Sequence, residues 1–363
     1  MYTMKRLVFD TAAIRRNIGI IRKKAGPSAI YGVLTGDGYG AGLTALAALL
    51  REEGIDRFAV QEPEDVQALR EHGFETEEIL LLRSTADREE LNQLLDLGAV
   101  CTVGCYETAV ALNALAAERA ALARVHILID TGMGFGGFLP TEGEKLLSIY
   151  QYLTNLQVTG VYTHLCAARG DINPQLEQFS TALDVIRGAG YDPGVCHAAS
   201  SSALMAFGHT QLNAVRVGSA LLGQCRRGRG RRLETCCWGE AALETVRWLP
   251  KGNTVGNERL CTLHQPTRVA VLPVGYLNGF GLQRSQPSGV RAMVESWRNQ
   301  HHRSVTVNGQ KARIIGRISA VETAVDVSDV KCSPGDIARF EIDPALARGL
   351  ERCYLEKTPE ADP

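Results

Sequence analysis

The chain has no run of about 18 consecutive apolar residues, the length a membrane-spanning helix requires, and this excludes such a helix. It has no surplus of either charge. Its 39 basic and 40 acidic residues leave a formal net charge of -1, which argues against bulk attraction to nucleic acid or an anionic membrane and points to small molecules or protein as partners. Its ten cysteines show no Cys-x-x-Cys spacing, and no second pair or His-x-x-x-His completes a zinc set. Met1–Asp10 carries no apolar signal-peptide core, so the cysteines are expected to be reduced, mostly buried thiols of a cytoplasmic protein rather than a disulfide framework or a metal site. Lysine is the sharpest shortage. From Ala25 through Pro250 the only one is Lys145, in a stretch that reads as a helix, so this region has almost no amine that could condense with a carbonyl compound.

What is present reads as an α/β protein. At 363 residues, 45% hydrophobic and 22% charged, the chain is an ordinary globular sequence, and its length implies about two domains. Apolar, β-rich runs recur at Ala29–Leu34, Arg57–Val60, Ile79–Leu82, Ala99–Val103, Val125–Ile129, Val158–Thr163, Val195–Ala198 and Ala214–Val217. Between them lie stretches with helical apolar spacing, among them Gly42–Glu53, Glu62–His72, Arg88–Leu97, Tyr106–Ala121, Gly143–Asn155 and Pro174–Gly188. Strict alternation implies parallel strands, and eight of them predict a closed (β/α)8 TIM barrel, with a doubly wound open sheet as the alternative. After Trp238 the pattern turns to period-two alternation at Glu244–Leu249, Thr267–Val274, Ser304–Asn308, Ala312–Ile318 and Ile337–Phe340, which predicts a mostly-β C-terminal domain. The expected division is a barrel over 8–238 and a β domain over 239–363, with residues 1–7 packing on the latter. The basic run 226–232 reads as a solvated linker, since no aromatics interleave it.

In such a barrel chemistry gathers at the C-terminal strand ends. The stretch Gly32–Gly42 breaks from an apolar run into a glycine-rich loop before a helix, where bare backbone N–H groups are expected to approach a phosphate. That strand delivers Thr35 and Tyr39. The others deliver Gln61 and Glu62, Arg83, Asp130–Phe135, Thr163 and His164, His197 with Ser200–Ser202, and Arg216 with Gly218 and Ser219. A hydroxyl cluster, a glycine and an arginine after the seventh and eighth barrel strands are what a phosphate site needs.

A chain that carries Gly38-Tyr39-Gly40, then Asp-Thr-Gly-Met-Gly at 130–134, Thr163-His164, His-x-x-Ser-Ser at 197–201, Val-Arg-x-Gly at 215–218, Gly-Tyr-x-x-Gly at 275–279 and Gly-Arg-x-Ser at 316–319 resembles alanine racemase over nearly its whole length. The resemblance implies a pyridoxal-phosphate enzyme with a barrel and a C-terminal β domain, working as a head-to-tail homodimer in which one subunit's β domain closes the other's active site. It implies that Tyr39, Ser201, Gly218 and Ser219 contact the cofactor phosphate, that Arg216 faces the pyridine nitrogen, that His164 packs beside the ring, and that Tyr276 sits near the partner's substrate entrance.

The same resemblance implies losses. Thr35 occupies the position of the family's Schiff-base lysine and Asn257 that of its catalytic tyrosine, and neither can serve as the acid/base group. Phe135 and Leu128 replace the arginine beside the phenolic oxygen and the lysine that positions it. Ala320, Val321 and Asn278 replace a methionine and two aspartates of the family. No metal is expected. Three readings stay open: a protein that binds pyridoxal 5′-phosphate or another phosphate ligand non-covalently in a binding or regulatory role; an amino-acid racemase or other isomerase using other groups, among Cys166, His164, His197, Arg169 and Glu62; and a non-catalytic partner of an active racemase subunit.

Overall fold

The computed structural model describes residues 4–166, 171–225, 233–256, 259, 261–282 and 303–356. It divides into two compact units, Ile14–Thr235 on the one hand and Met1–Ala13 with Cys236–Pro363 on the other. The first strand, β1 (Lys5–Asp10), belongs to the second of these and leads into a helix over Thr11–Ala25.

Eight parallel strands then close a barrel in chain order: β2 (Ala29–Val33), β3 (Arg57–Val60), β4 (Glu78–Ser84), β5 (Val100–Val103), β6 (Ala123–Leu128), β7 (Leu156–Tyr162), β8 (Val195–His197) and β9 (Ala214–Val217). This is the barrel that the alternation predicts. Strands packed on both faces need apolar side chains on both, so they appear in the sequence as continuous apolar runs rather than alternating ones. Val100–Val103 and Ala214–Val217 are buried at every residue. The surrounding helices bury one stripe each, as Leu43–Glu52 does through Leu43, Leu46, Ala47, Leu49 and Leu50. Some starts are set by side chains: the Asp87 carboxylate accepts the N–H groups of Glu89 and Glu90, both at 3.0 Å, and so begins the helix Arg88–Asp96.

Two features of the barrel bear on the site. The β6–β7 pairing slips, Val125 facing Val158 but His126 facing Gly160, so one extra residue bulges from β7. The interior is also unusually polar for a barrel core, with Thr102, His126, Tyr162, His197 and Arg216 all buried.

The other unit is a nine-stranded sheet. Its further strands are β10 (Cys237–Ala242), β11 (Thr245–Leu249), β14 (Thr267–Leu272), β15 (Ser304–Val307), β16 (Gln310–Ile315), β17 (Thr323–Asp326), β18 (Ile337–Phe340) and β19 (Glu351–Leu355), while β12 (Thr254–Val255) and β13 (Cys261–Thr262) make a separate hairpin. The sheet order is β11-β14-β17-β16-β15-β18-β10-β1-β19. Strand β1 thus lies between β10, antiparallel, and β19, parallel. Phe280, Phe340, Val305, Val307 and Val325 are among the residues of its core, and Glu240, buried, holds Arg6 at 2.7 Å and the Trp238 indole N–H at 2.7 Å.

All ten cysteines are free thiols; Cys105 and Cys166 are exposed, and the other eight are at least partly buried. Among the described residues no helix is long and apolar enough to cross a membrane, and no group of His, Cys, Asp or Glu could hold a metal ion.

Candidate active site

The end of β2 does not form the open phosphate loop that its glycines suggest. Gly36, Asp37, Gly38 and Tyr39 all take left-handed backbone angles, with φ of 62°, 55°, 62° and 56°, and make one left-handed helical turn. Glycine adopts these angles freely, while Asp37 and Tyr39 each carry roughly 1–2 kcal/mol of strain there. Neighbouring bonds hold the turn against that strain. The N–H of Gly38 donates to Leu34 at 2.8 Å and that of Gly42 to Asp37 at 2.9 Å, while the Asp37 carboxylate accepts the Leu43 N–H at 2.8 Å and ties the turn to the next helix. The N–H groups of Gly38, Gly40, Ala41 and Gly42 are all used within the loop. They therefore form no backbone anion cradle; what the turn delivers is the Tyr39 side chain. Thr35, half-buried, opens the turn.

The Tyr39 ring lies against Gly218 at the end of β9, so closely that a Cβ on that residue would fall 2.2 Å from Tyr39 Cε2. Gly218 in turn donates its N–H to Ser201 Oγ at 3.0 Å, and Ala220 donates to the same oxygen at 3.3 Å. With two donors on its oxygen, the Ser201 hydroxyl has its own hydrogen to offer outward. Tyr39, Ser201, Gly218 and, next in chain, the half-buried Ser219 are thus gathered as a donor-rich cradle.

Beside it stands Arg216, only 3% exposed. One terminal nitrogen donates to His197 Nδ1 at 2.6 Å and to the His197 carbonyl at 3.3 Å, and the other donates to the Thr163 carbonyl at 2.7 Å. The guanidinium also sits 4.9 Å from the centre of the Tyr162 ring. It has no carboxylate partner among the described residues, and burial lowers its pKa to about 10. His197, fully buried, stacks on Tyr31 (5.3 Å) and Tyr162 (4.9 Å), and its Nε2 lies 3.0 Å from His126 Nδ1. Burial, with Arg216 adding to it, holds His197 well below the usual imidazole range and His126 down to about 3, so both rings are neutral. The Tyr162 hydroxyl accepts from Thr102 at 2.9 Å and donates to the Leu82 carbonyl at 3.2 Å, and the Tyr31 hydroxyl donates to Glu78. Burial raises both phenols.

Other candidates are placed differently. His164 is exposed on the rim, one residue past the carbonyl that Arg216 grips; the crowded barrel mouth and then Arg216 push its imidazole below the ordinary range. His197 is not an acid/base candidate after all, since both its ring nitrogens are committed inside the core. Glu62 is held by Arg83 at 3.2 Å, and Arg83 is also bidentate to Glu90 at 2.8 and 2.9 Å. Cys166 is exposed, and its N–H is anchored by Gln175 at 2.9 Å. Asp130 folds its own loop by accepting from Gly132, Met133 and Gly134, which leaves Phe135 86% exposed. Lys145 is exposed on the helix Gly143–Tyr152, paired with Glu142 at 2.6 Å. In the β unit, Tyr276 is half exposed on the short turn Tyr276–Asn278. Asn257, Arg169 and the run 226–232 lie outside the described residues. The reading of the sequence did not single out His126, Tyr31, Tyr162 or Thr102. One signal was available: a histidine inside the otherwise apolar run Val125–Ile129.

The arrangement can be compared with known proteins. The model of the alanine racemase N-terminal domain matches residues 9–225, and that of the C-terminal domain matches residues 239–341. The chain belongs to the alanine racemase family. The alanine racemase of Desulforamulus reducens is 30% identical over 329 residues, which span 88% of this chain and 84% of that one. The alanine racemase of Streptomyces lavendulae has the same fold, with a TM-score of 0.84 at 24% identity over 99% of this chain and 98% of that one. That of Bartonella henselae, solved with covalently bound pyridoxal phosphate, superposes with a TM-score of 0.82 at 21% identity over 97% of this chain and 99% of that one.

Proposed function

We propose that this member of the alanine racemase family binds a phosphate-bearing B6 vitamer, such as pyridoxal 5′-phosphate, without a covalent bond, and that it does not racemise alanine through the family's lysine and tyrosine pair. One observation carries the reading. Tyr39, Ser201, Gly218 and Arg216 are assembled at one strand-end cluster, while the residue that opens the adjoining turn is Thr35, whose hydroxyl cannot form an imine. Lys145, the only lysine between Ala25 and Pro250, is exposed and ion-paired on its helix.

The residues present fit such a ligand. The hydroxyls of Tyr39, Ser201 and Ser219 would hold the phosphate, the packed Tyr39–Gly218 contact would fix one wall, and Arg216 would donate to the ring nitrogen. His164 would lie beside the ring. When bound, the pyridine ring would supply an electron sink; this chain's own residues bind and orient it. The resemblance further implies a head-to-tail homodimer, and ten free thiols fit a reducing, cytoplasmic compartment. Sedimentation at micromolar concentration tests the dimer, and a monomer would count against it.

The decisive experiment mixes pure protein with pyridoxal 5′-phosphate, reduces with borohydride and weighs the protein, alongside an assay for D-alanine from L-alanine. Expected are saturable binding, an unchanged protein mass and no D-alanine. A reduced lysine adduct, or racemisation by the pure protein, overturns the reading. A second reading, an amino-acid racemase or related isomerase using other acid/base groups, is supported by the extent of the family match. It requires amino-acid interconversion that is lost in His164→Ala.

A further inference from the structure

Arg216 can donate to His197 Nδ1 only if that nitrogen carries a lone pair, which puts the His197 proton on Nε2. That proton points along the 3.0 Å contact to His126 Nδ1, which must then be the acceptor, and the His126 proton is forced onto its own Nε2. His126 Nε2 is buried and has no hydrogen-bond partner. Every proton in the row Arg216–His197–His126 therefore points away from the arginine, and the row ends on an unpaired N–H. A buried, unpaired donor is costly and rare, and the opposite tautomer of His126 would set two N–H groups against each other or strip Arg216 of its acceptor.

The backbone is shaped around this ending. The slip between β6 and β7 sets His126 opposite Gly160, and a Cβ on that glycine would fall 2.6 Å from His126 Nε2. The imidazole rests against a bare α-carbon, and no acceptor stands within reach of its Nε2. With both terminal nitrogens bonded to His197 and Thr163, Nε is the one guanidinium nitrogen without a partner among the described residues.

We propose that His126 is a positioning residue: by accepting the His197 proton it locks the tautomer that fixes the Arg216 guanidinium, and so keeps the Arg216 Nε–H presented to a ring acceptor of the bound ligand. The proposal rests on the ligand reading above. It separates two parts of that ligand, since the row acts on the ring and not on the phosphate cradle built from Tyr39, Ser201 and Gly218.

The test compares His126→Leu, which removes the acceptor, with His126→Asn, whose side-chain oxygen can stand near the position of Nδ1. Each is titrated with pyridoxal 5′-phosphate and, separately, with inorganic phosphate. Expected is a loss of about tenfold in affinity for pyridoxal 5′-phosphate in His126→Leu, no change for inorganic phosphate, and recovery to within about twofold in His126→Asn. Equal losses for both probes, no loss, or an Asn variant no better than Leu overturns the proposal. Imidazole 15N–1H correlation spectra of the unmodified protein give a second reading that needs no variant: His197 and His126 are both expected as the Nε2–H form, and an Nδ1–H signal from His126 overturns the lock. If the unmodified protein binds no pyridoxal 5′-phosphate, the ligand reading fails on its own, and the spectra still decide whether the tautomer row exists.

Discussion

Two arginines stand at strand ends of the same barrel and are held in opposite ways. Arg83, near the end of β4, is clasped by Glu90 in a fork and by Glu62, with its side chain 30% exposed; the Glu90 bond holds its pKa above the ordinary value. Arg216, in β9, is buried, bonded only to neutral acceptors, and lowered. A carboxylate clasp near the surface neutralises a charge and ties a strand end to the helices beside it, and it leaves little of the guanidinium for a ligand. A buried cation tethered by carbonyls and an imidazole keeps its charge uncompensated, at a solvation cost that an electron-rich ligand would offset. The difference fits the proposal that Arg216, and not Arg83, meets the ligand.

The largest effect that should separate the two surroundings comes from acid. The neutral His126 and His197 behind Arg216 have no counterpart behind Arg83. In the unfolded chain both titrate near 6.5, whereas in the folded protein His126 takes its proton only at about 3 and His197 well below 6.5. The unfolded state therefore binds more protons on acidification. Stability from these groups is whole above pH 6.5 and falls as the pH drops, by up to about 1.4 kcal/mol per pH unit for each histidine. Urea unfolding between pH 7 and 4 measures this, and a flat profile would break the comparison. Next, Arg216→Met strips donors from His197 Nδ1 and two carbonyls, and should lower the unfolding free energy by about 2–4 kcal/mol while abolishing binding of pyridoxal 5′-phosphate. Retained binding would show that the buried charge is not what the ligand meets.

A smaller effect is expected in the cradle. Ser201→Ala leaves the Gly218 and Ala220 N–H groups without their acceptor and should cost about 1–2 kcal/mol, with weaker binding of inorganic phosphate as well as of pyridoxal 5′-phosphate. Smallest of all, Arg83→Gln should change thermal stability by about 1 kcal/mol and leave ligand affinity alone, as for other solvent-accessible ion pairs. An effect on affinity as large as that of Arg216→Met would erase the distinction between the two arginines.

The parts that the sequence made legible share a physical cause. The barrel strands are buried on both faces, so their apolar runs stand out, and the eight expected runs agree with β2 to β9 to within a few residues at each end. The strand-end residues followed from that alternation. The handedness of the Gly36–Tyr39 turn did not, because glycine permits either hand and the choice is made by tertiary bonds such as that of Asp37 to Leu43. Strand β10, Cys-Trp-Gly-Glu-Ala-Ala, has little intrinsic preference for a strand and becomes one between β18 and β1. The role of His126 was hidden for a similar reason: its partner His197 lies 71 residues away, and the bulge that seats it is a matter of register between β6 and β7.

The position of β1 has a consequence for how the chain is made. Arg6 pairs with Glu240 on one side and with Glu351 on the other, so a strand that precedes the whole barrel in the chain waits for partners that both follow it. The barrel, whose strands pair mostly with their neighbours in sequence, can form during that interval, while Lys5–Asp10 remains an unpaired edge open to other chains. Vectorial synthesis thus sets the order of events: barrel first, and Glu351–Leu355 paired with β1 after it. A chain cut short of that strand would keep all eight barrel strands and leave one side of β1 without its partner.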